Sequence, residues 1–217
     1  VTREAMQDDL HGVVRWLTRQ GGGLAEVARY TKERDSLDLF NSYLTSGTVY
    51  TAEGTNYSLL STSHYRVDGG VWSNRPDEDL DLSYEALEFM WSHWMVNQLN
   101  MRGQVLMSSP QRLLVGANDG PLAMRLLNTT RGRPQSADND VNVMADYLDE
   151  VIIHPLLTND GRWLALGDKE ETGLTYFERY KPNVERWPDA ENGNMRLVGF
   201  YRESHGASHV SGIWGSA

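Results

Sequence analysis

The sequence predicts an α+β protein, with most of its helices before most of its strands. Three stretches before residue 128 repeat apolar residues at helical spacing, whereas the chain after residue 150 contains short aromatic and β-branched runs between turn residues. Strands and helices do not alternate regularly, which is the pattern of α+β proteins and not of parallel α/β proteins. We find no internal repeat, and the length of 217 residues favours one domain or two closely joined lobes.

Composition and charge exclude several classes of function. The chain has 20 Lys and Arg against 30 Asp and Glu, and nucleic-acid binders usually show the opposite balance. It has no cysteine, so disulfides, thiolate zinc sites and cysteine nucleophiles are excluded. The sequence opens without a signal-peptide pattern and contains no apolar run of about 20 residues, so we expect synthesis in the cytoplasm and no membrane association.

The first element predicted is one long helix with a break or bend. Residues 6–17 carry an apolar stripe at helical spacing, and a weaker helical pattern resumes over residues 24–44. Gly21, Gly22 and Gly23 lie between them, and each costs about 1 kcal/mol relative to alanine inside a helix. We therefore expect the glycines to interrupt or bend the helix.

The middle of the chain predicts a long connection followed by a second helix. Residues 45–81 are rich in Ser, Thr, Gly and Asn, which indicates a connection with one hairpin or short strand. Ser83 has the side chain of an N-cap, and large apolar residues from Leu87 to Leu99 recur at helical spacing. Asn100 and Gly103 are typical of the end of such a helix.

The remaining elements follow from turn residues and short apolar runs. Residues 105–107 and 112–115 predict extended segments, Pro121 predicts the first turn of a third helix, and residues 128–142 predict an exposed loop. Four further strands are predicted after the loop, at 151–153, 163–166, 174–177 and 195–201.

Few residues have the spacing of a chemical site. His205 and His209 have metal-ligand spacing only on a helix, and the surrounding glycines and serines disfavour a helix. Ser63 and His64 lack the strand-turn-helix context of a nucleophile elbow, so ordinary hydrogen bonding is the better interpretation. The sequence therefore predicts no catalytic residue, no metal and no cofactor.

Other patterns have structural explanations that compete with functional ones. Gly21–Gly23 match no phosphate-binding motif. Trp91 and Trp94 could stack on bases, but at helical spacing they favour a core or a subunit contact. Arg131 and Arg133 could contact a neighbouring subunit or an anionic partner, and a solvated loop remains an equal alternative.

An ordered series of short segments resembles the major capsid proteins of tailed bacteriophages, in particular a podovirus-like and prophage branch. The segments span nearly the whole chain, and their order is more specific than any one of them. They are EAMQDDL at 4–10, LLSTSH at 59–64, GG at 69–70, SN at 73–74, LDLSYEAL at 80–87, PQRLLV at 110–115, LAMRLL at 122–127, ADNDVN at 137–142, WLAL at 163–166 and GIWGS at 212–216.

The resemblance implies the phage capsid fold, with a long spine helix and a β-sheet in a peripheral lobe and a mixed α/β axial lobe. Residues 1–118 and 183–217 would form the peripheral lobe and residues 119–182 the axial lobe. The implied partners are copies of the chain, together with scaffold, portal and maturation protease, while packaged DNA is enclosed without sequence-specific binding. On this resemblance the chain is a structural protein of the virion, present in the host cytoplasm before assembly, and is not an enzyme.

The resemblance also suggests contact residues and one departure. Candidate subunit contacts are Trp72, Arg75, Arg131, Arg133 and Trp214. The family's N-terminal arm and extended hairpin precede the spine helix, and this sequence begins almost at the helix. The expectation is therefore a truncated or proteolysed chain that assembles weakly alone. The alternatives are an encapsulin-like compartment shell and a small hydrolase using His64 or His205.

Overall fold

A computed structural model describes residues 13–42, 49–50, 56–129, 141–158, 161–188, 191 and 194–216. The helices are α1 (Val13–Ser42), α2 (Tyr84–Asn97), α3 (Gly120–Asn128) and α4 (Met144–Tyr147). The strands are β1 (Val49–Tyr50), β2 (Asn56–Tyr57), β3 (His64–Tyr65), β4 (Val71–Trp72), β5 (Arg112–Gly116), β6 (Glu150–His154), β7 (Trp163–Leu166), β8 (Leu174–Pro188), β9 (Met195–Ala207) and β10 (Ile213–Ser216). These residues combine helices and strands, as the α+β prediction requires.

The chain divides into two compact units. The first unit comprises Val1–Ser36 and Tyr176–His205, and the second comprises Leu37–Thr175 and Gly206–Ala217. These units are defined by contacts within one chain, whereas the predicted lobes are defined by positions in a shell. The lobe boundaries at residues 119 and 183 therefore remain a prediction.

A four-stranded mixed sheet organises the second unit. Its strand order is β10-β7-β5-β6, with β5 and β6 parallel and the other two pairs antiparallel. The connection between the parallel strands contains α3 and α4, because parallel neighbours need a long crossover. The strands predicted at 112–115, 151–153 and 163–166 are confirmed.

The two faces of this sheet bury different clusters of apolar residues. Leu113, Val115 and Ala165 pack on the side of α2 and α3. Leu114 and Leu164 pack on the other side, because neighbouring side chains of a strand point to opposite faces. Strands β5, β7 and β10 are thus covered on both faces, which explains their nearly continuous apolar sequences, whereas the edge strand β6 is partly exposed.

Helix α2 begins as the sequence predicts and ends earlier. The hydroxyl of Ser83 accepts a hydrogen bond from the backbone N–H of Ala86, which confirms the N-cap. The helix ends at Asn97, and Gly103, with φ of 75°, lies in a separate turn. The end is earlier because the side chain of Gln98 leaves the helix to bond the carbonyl of Ile213 and the N–H of Gly212.

Helix α1 corrects the predicted interruption at the glycine triplet. It runs for 30 residues, about 45 Å at the usual helical rise, and passes through Gly21–Gly23 without a break. Glycine weakens a helix but keeps its backbone N–H and allows helical dihedral angles, unlike proline. The single long helical element is therefore confirmed from Val13 onward, and residues 6–12 lie outside the described part of the chain.

Three other elements differ from the sequence prediction. The described parts of the 45–81 connection form two short antiparallel pairs, β1 with β2 and β3 with β4. The segment predicted as extended at 105–107 forms only an isolated bridge, between Leu99 and Val105. Strands β8 and β9 are much longer than predicted, since they pair as a two-stranded ribbon and Pro182 lies within β8. Among the described helices, none combines the length and the apolar character needed to cross a bilayer.

Candidate assembly surfaces

In the first unit, Lys32 of α1 joins the helix to the ribbon of β8 and β9. Its ammonium lies 3.2 Å from a carboxylate oxygen of Glu178 and 3.3 Å from one of Glu203, and 4.4 Å from the ring centre of Tyr176. The hydroxyl of Tyr176 donates to Glu203 across 3.0 Å. One cation thereby joins two strands to the helix, where two carboxylates would otherwise repel each other.

The pKa values of Lys32 and Glu178 show that each stabilises the charged form of the other. Hydrogen bonding to Tyr176, followed by the two glutamates, raises the pKa of Lys32 above its usual value. The hydrogen bond from Lys32 lowers the pKa of Glu178, and burial is the main reason that the pKa of Tyr176 is raised. The cation and its carboxylate partner therefore stay charged at neutral pH.

The opposite face of the ribbon carries cations and aromatic rings. Successive side chains of a strand point to opposite faces of the ribbon. Tyr176, Glu178 and Glu203 point towards α1, so their neighbours along each strand point away from it. We call this set the ribbon outer face; its exposed members are Phe177, Arg179, Lys181, Trp187, Phe200 and Arg202. Among the described residues, Arg179, Lys181 and Arg202 form no ion pair.

The first unit buries little apolar surface of its own. Both clusters of buried apolar residues in the described chain belong to the second unit. On α1, Val27 and Tyr30 remain 62% and 54% exposed, and on the ribbon Phe177 remains 65% exposed. A two-stranded ribbon is at best marginally stable without further packing. The exposed apolar side chains of this unit are therefore typical of a surface that binds a partner.

The second unit contains a groove with an apolar floor and acidic walls. The groove is lined by residues between Pro76 and Phe89, which include the segment before α2 and the first turns of that helix. Its volume is about 550 Å³. Leu80, Ala86 and Phe89 supply the apolar surface. Asp77, Glu78 and Asp81 are exposed on its walls, and none of the three forms an ion pair with another described residue.

The two tryptophans predicted as subunit contacts lie in the interior of the second unit. Trp214 is fully buried, with its ring centre 5.1 Å from that of Trp163 and its Nε1–H donating to Nδ1 of His93 across 3.1 Å. Trp72 is 7% exposed and packs 4.7 Å from the ring of His64. In the single chain both are core residues, so a contact with a neighbour remains a prediction that would require them to become accessible.

The predicted arginine contacts are located only in part. Arg75 is partly exposed and pairs with Asp79 across 2.6 Å. Arg131 and Arg133 lie outside the described residues, as does the centre of the loop predicted at 128–142. Their role stays a prediction.

Trp91 and Trp94 of α2 have different environments. Trp94 is fully buried, and its Nε1–H donates to the carbonyl of Ser108 across 3.1 Å. Trp91 is partly buried and stacks on Tyr147 with an interplanar angle of 14°. The core interpretation of both residues is therefore confirmed within the single chain.

The histidines singled out in the sequence form no metal centre. Within the described ranges no group of three or more His, Cys, Asp or Glu side chains could hold a metal ion. His205 lies 3.2 Å from the hydroxyl of Ser36 and 3.5 Å from Glu203, whereas His209 lies 2.9 Å from the hydroxyl of Ser211. Burial lowers the pKa of His209.

The contact of His205 with Ser36 and Glu203 has the residue types of a hydrolase triad but lacks its other parts. The hydroxyl of Ser36 donates to the carbonyl of Lys32 one turn earlier in α1, so its proton is engaged in the helix. Ser36 also lies inside the helix, where neighbouring backbone N–H groups bond within the helix and cannot form an oxyanion hole. No observation therefore favours the hydrolase alternative.

A match to a protein family supports one of the remaining interpretations. The model of the phage capsid protein family matches residues 1–204. The chain belongs to the phage capsid protein family. This confirms the resemblance found in the sequence and assigns the capsid protein a structural role in the virion. No curated protein sequence matches the chain.

The sequence prediction missed the ribbon outer face and the acidic groove of this capsid protein. The ribbon outer face could have been found from the alternation of Phe177, Arg179 and Lys181 with Tyr176, Glu178 and Tyr180. It was missed because the strand was predicted to end at residue 177, whereas β8 continues to Pro188. The acidic groove had no comparable signal, since its acidic walls come from a segment predicted as a connection and Ala86 and Phe89 of its floor come from the helix that follows.

Proposed function

We propose that the chain is a structural subunit of an icosahedral phage or prophage capsid, which assembles into hexamers and pentamers that enclose DNA. The observation that carries this proposal is the match of the phage capsid protein family over residues 1–204. The partners of the proposed subunit are other copies of itself, with scaffold, portal and maturation protease acting during assembly in the host cytoplasm.

The first unit supports self-association on physical grounds. A helix and a two-stranded ribbon that leave Val27, Tyr30 and Phe177 exposed have unsatisfied apolar surface. Burying such surface contributes roughly 25 cal/mol per Å², and a neighbouring subunit is the partner that a shell supplies. The exposure is spread along α1 and the ribbon, which favours an extended contact over a small pocket.

A shell can be stable although each contact is modest. Every subunit of a closed shell repeats the same contacts with several neighbours, so weak interfaces act together. Specific protein interfaces typically bury on the order of 1,200–2,000 Å². The lobe assignment, with residues 1–118 and 183–217 peripheral and 119–182 axial, is part of this proposal.

The charge of the chain supports an enclosing role towards DNA. The formal net charge is −10, so a lining formed by this protein would repel packaged DNA and limit its adhesion during filling. No sequence-specific contact with DNA is needed for that role. A basic lining would contradict this part of the proposal.

Electron microscopy of the chain coexpressed with its genomic neighbours tests the proposal. Closed particles with icosahedral symmetry that contain DNA are the expected result. A matched control replaces Trp163, which is fully buried in the sheet, with alanine and should yield no particles because the fold is lost. Particles that contain enzymes and no DNA would support an encapsulin-like shell, and an absence of particles under all coexpression conditions would overturn the proposal.

A further inference from the structure

The ribbon outer face has a positive charge that the chain as a whole does not have. Among its described residues this face carries Arg179, Lys181 and Arg202, against one carboxylate, that of Glu185. The whole chain carries a formal net charge of −10. A local excess of cations on an acidic protein is attracted to the surface of another copy, because the field of that copy is negative.

The same face also carries the apolar area that a docking surface needs. Phe177, Trp187 and Phe200 remain 65%, 53% and 42% exposed. Aromatic and arginine side chains are the residue types most enriched at the centres of protein interfaces. The Nε1–H of Trp187 donates to Glu185 on the same face across 3.0 Å, which restricts the position of the ring before any partner binds.

The acidic groove of the second unit has the complementary properties. Its floor of Leu80, Ala86 and Phe89 is apolar, as an aromatic side chain requires. Its walls carry Asp77 and Glu78, both exposed and without an ion pair among the described residues. Its volume of about 550 Å³ is within the range of sites that accept large side chains.

We propose that the ribbon outer face of one copy docks on the acidic groove of a neighbouring copy, with aromatic rings on the apolar floor and arginine and lysine on the acidic walls. This inference rests on the proposed function and names one of the contacts that build the shell. The two surfaces are different, so the contact is heterologous, and repeating it generates rings when the rotation closes. Hexamers and pentamers are closed rings of this kind, with six or five subunits.

A second copy explains the surfaces better than nucleic acid does. Cations interleaved with aromatic rings could also bind single-stranded nucleic acid. That alternative leaves the apolar, acidic groove without an occupant, whereas a second copy satisfies both surfaces at once. DNA binding by the ribbon is therefore an outcome that the experiment must separate from self-association.

Charge reversal tests the contact. The variant R179E/K181E makes the ribbon outer face acidic, and D77K/E78K makes the groove basic. Each should raise the Kd of self-association at least about tenfold in sedimentation at low salt, because like charges then face each other. An equimolar mixture of the two variants should restore the wild-type Kd, since reversed ribbon meets reversed groove and the native surfaces meet each other.

Matched controls separate this effect from a change in net charge. The variant R102E/K169E changes two exposed cations by the same charge as R179E/K181E and lies outside both surfaces, so its Kd should stay within about twofold of wild type. The six altered positions of the three variants are exposed, and each variant should keep the wild-type circular dichroism spectrum and melting temperature.

The outcomes distinguish the contact from the function. Restoration in the mixture, but in neither variant alone, supports the contact. Equal Kd values for R179E/K181E and its control, or loss of DNA binding without loss of self-association, overturn it. If R179E/K181E still forms DNA-filled particles like those of the wild type, the contact fails while the capsid function holds. If the mixture experiment succeeds but wild-type chains form no particles, the contact holds and the capsid function fails.

Discussion

His64 donates a hydrogen bond from Nε2 to the side-chain oxygen of Asn74 across 2.8 Å, within the second unit. The same oxygen accepts from the backbone N–H of Ser61, and the amide of Asn74 donates to the carbonyl of Leu59. These bonds identify the oxygen of Asn74 as the acceptor and therefore place the proton of the neutral imidazole on Nε2. Burial lowers the pKa of His64 from 6.5 to about 4, so the ring is neutral at physiological pH.

The lowered pKa of His64 predicts loss of stability in acid. Between pH 6.5 and about 4 the unfolded chain binds a proton at this position and the folded chain does not, so the free energy of unfolding falls as the pH falls through this window. The expected contribution is about 3 kcal/mol across the window. Urea denaturation at a series of pH values measures it.

The variant His64→Gln isolates this contribution from the titration of carboxylates. Its side-chain amide can still donate towards Asn74 but does not titrate. We expect it to be less stable than wild type at pH 7.5 and to lose about 3 kcal/mol less between pH 7.5 and 4. Parallel pH curves for the two proteins would contradict the assignment of His64 as a buried neutral group.

Removal of the Asn74 side chain should destabilise the second unit strongly. Asn74→Ala leaves the N–H of Ser61 and the carbonyl of Leu59 without their partner in a buried site, and we expect a loss of about 2–4 kcal/mol. Asn183→Ala is the matched control, because Asn183 is exposed and, among the described residues, its side chain bonds only that of Glu185. Its expected loss is below about 0.5 kcal/mol. Equal urea midpoints for the two variants would refute the role of Asn74.

Lys32→Met should loosen the first unit. It removes the cation between Glu178 and Glu203, and the side chain of Glu203 is only 6% exposed. The two carboxylates would then repel each other, so we expect faster hydrogen exchange over residues 176–181 and 200–205. Arg29→Met is the control on the same helix, because Arg29 forms an exposed pair with Glu33 that contributes at most about 0.5 kcal/mol. Unchanged exchange in Lys32→Met would contradict the joining role of Lys32.

A substitution in the glycine triplet should stabilise the protein, unlike the substitutions above. A methyl group added at Gly21, Gly22 or Gly23 meets no described atom within 4 Å, and all three residues are helical. Gly22→Ala should therefore increase the helical circular dichroism signal and stabilise α1 by about 0.5–1 kcal/mol. The control Gly173→Ala should destabilise the protein, because its added methyl would lie 2.4 Å from the backbone oxygen of His209. A loss of helicity in Gly22→Ala would instead support a functional bend.

The sequence predicted those elements whose signals are local. The hydroxyl of Ser83, the spacing of Leu87, Met90 and Trp94, and the position of Pro121 act within one or two helical turns, so α2 and α3 were predicted close to their observed starts. The strand at 163–166 was predicted in full, because an apolar run between turns has few alternatives. The family resemblance was equally accessible, since it depends on the order of short segments along the chain.

The sequence by itself thus determined the α+β composition, the acidic charge and the membership of a capsid family. Only the tertiary structure decided that α1 continues through three glycines, that β8 and β9 extend into one ribbon, and that Trp72 and Trp214 are core residues. The reason is physical: burial, strand pairing and the face on which a side chain lies depend on residues distant in the chain, such as Lys32 with Glu203. Single-residue propensities contain no information about such partners.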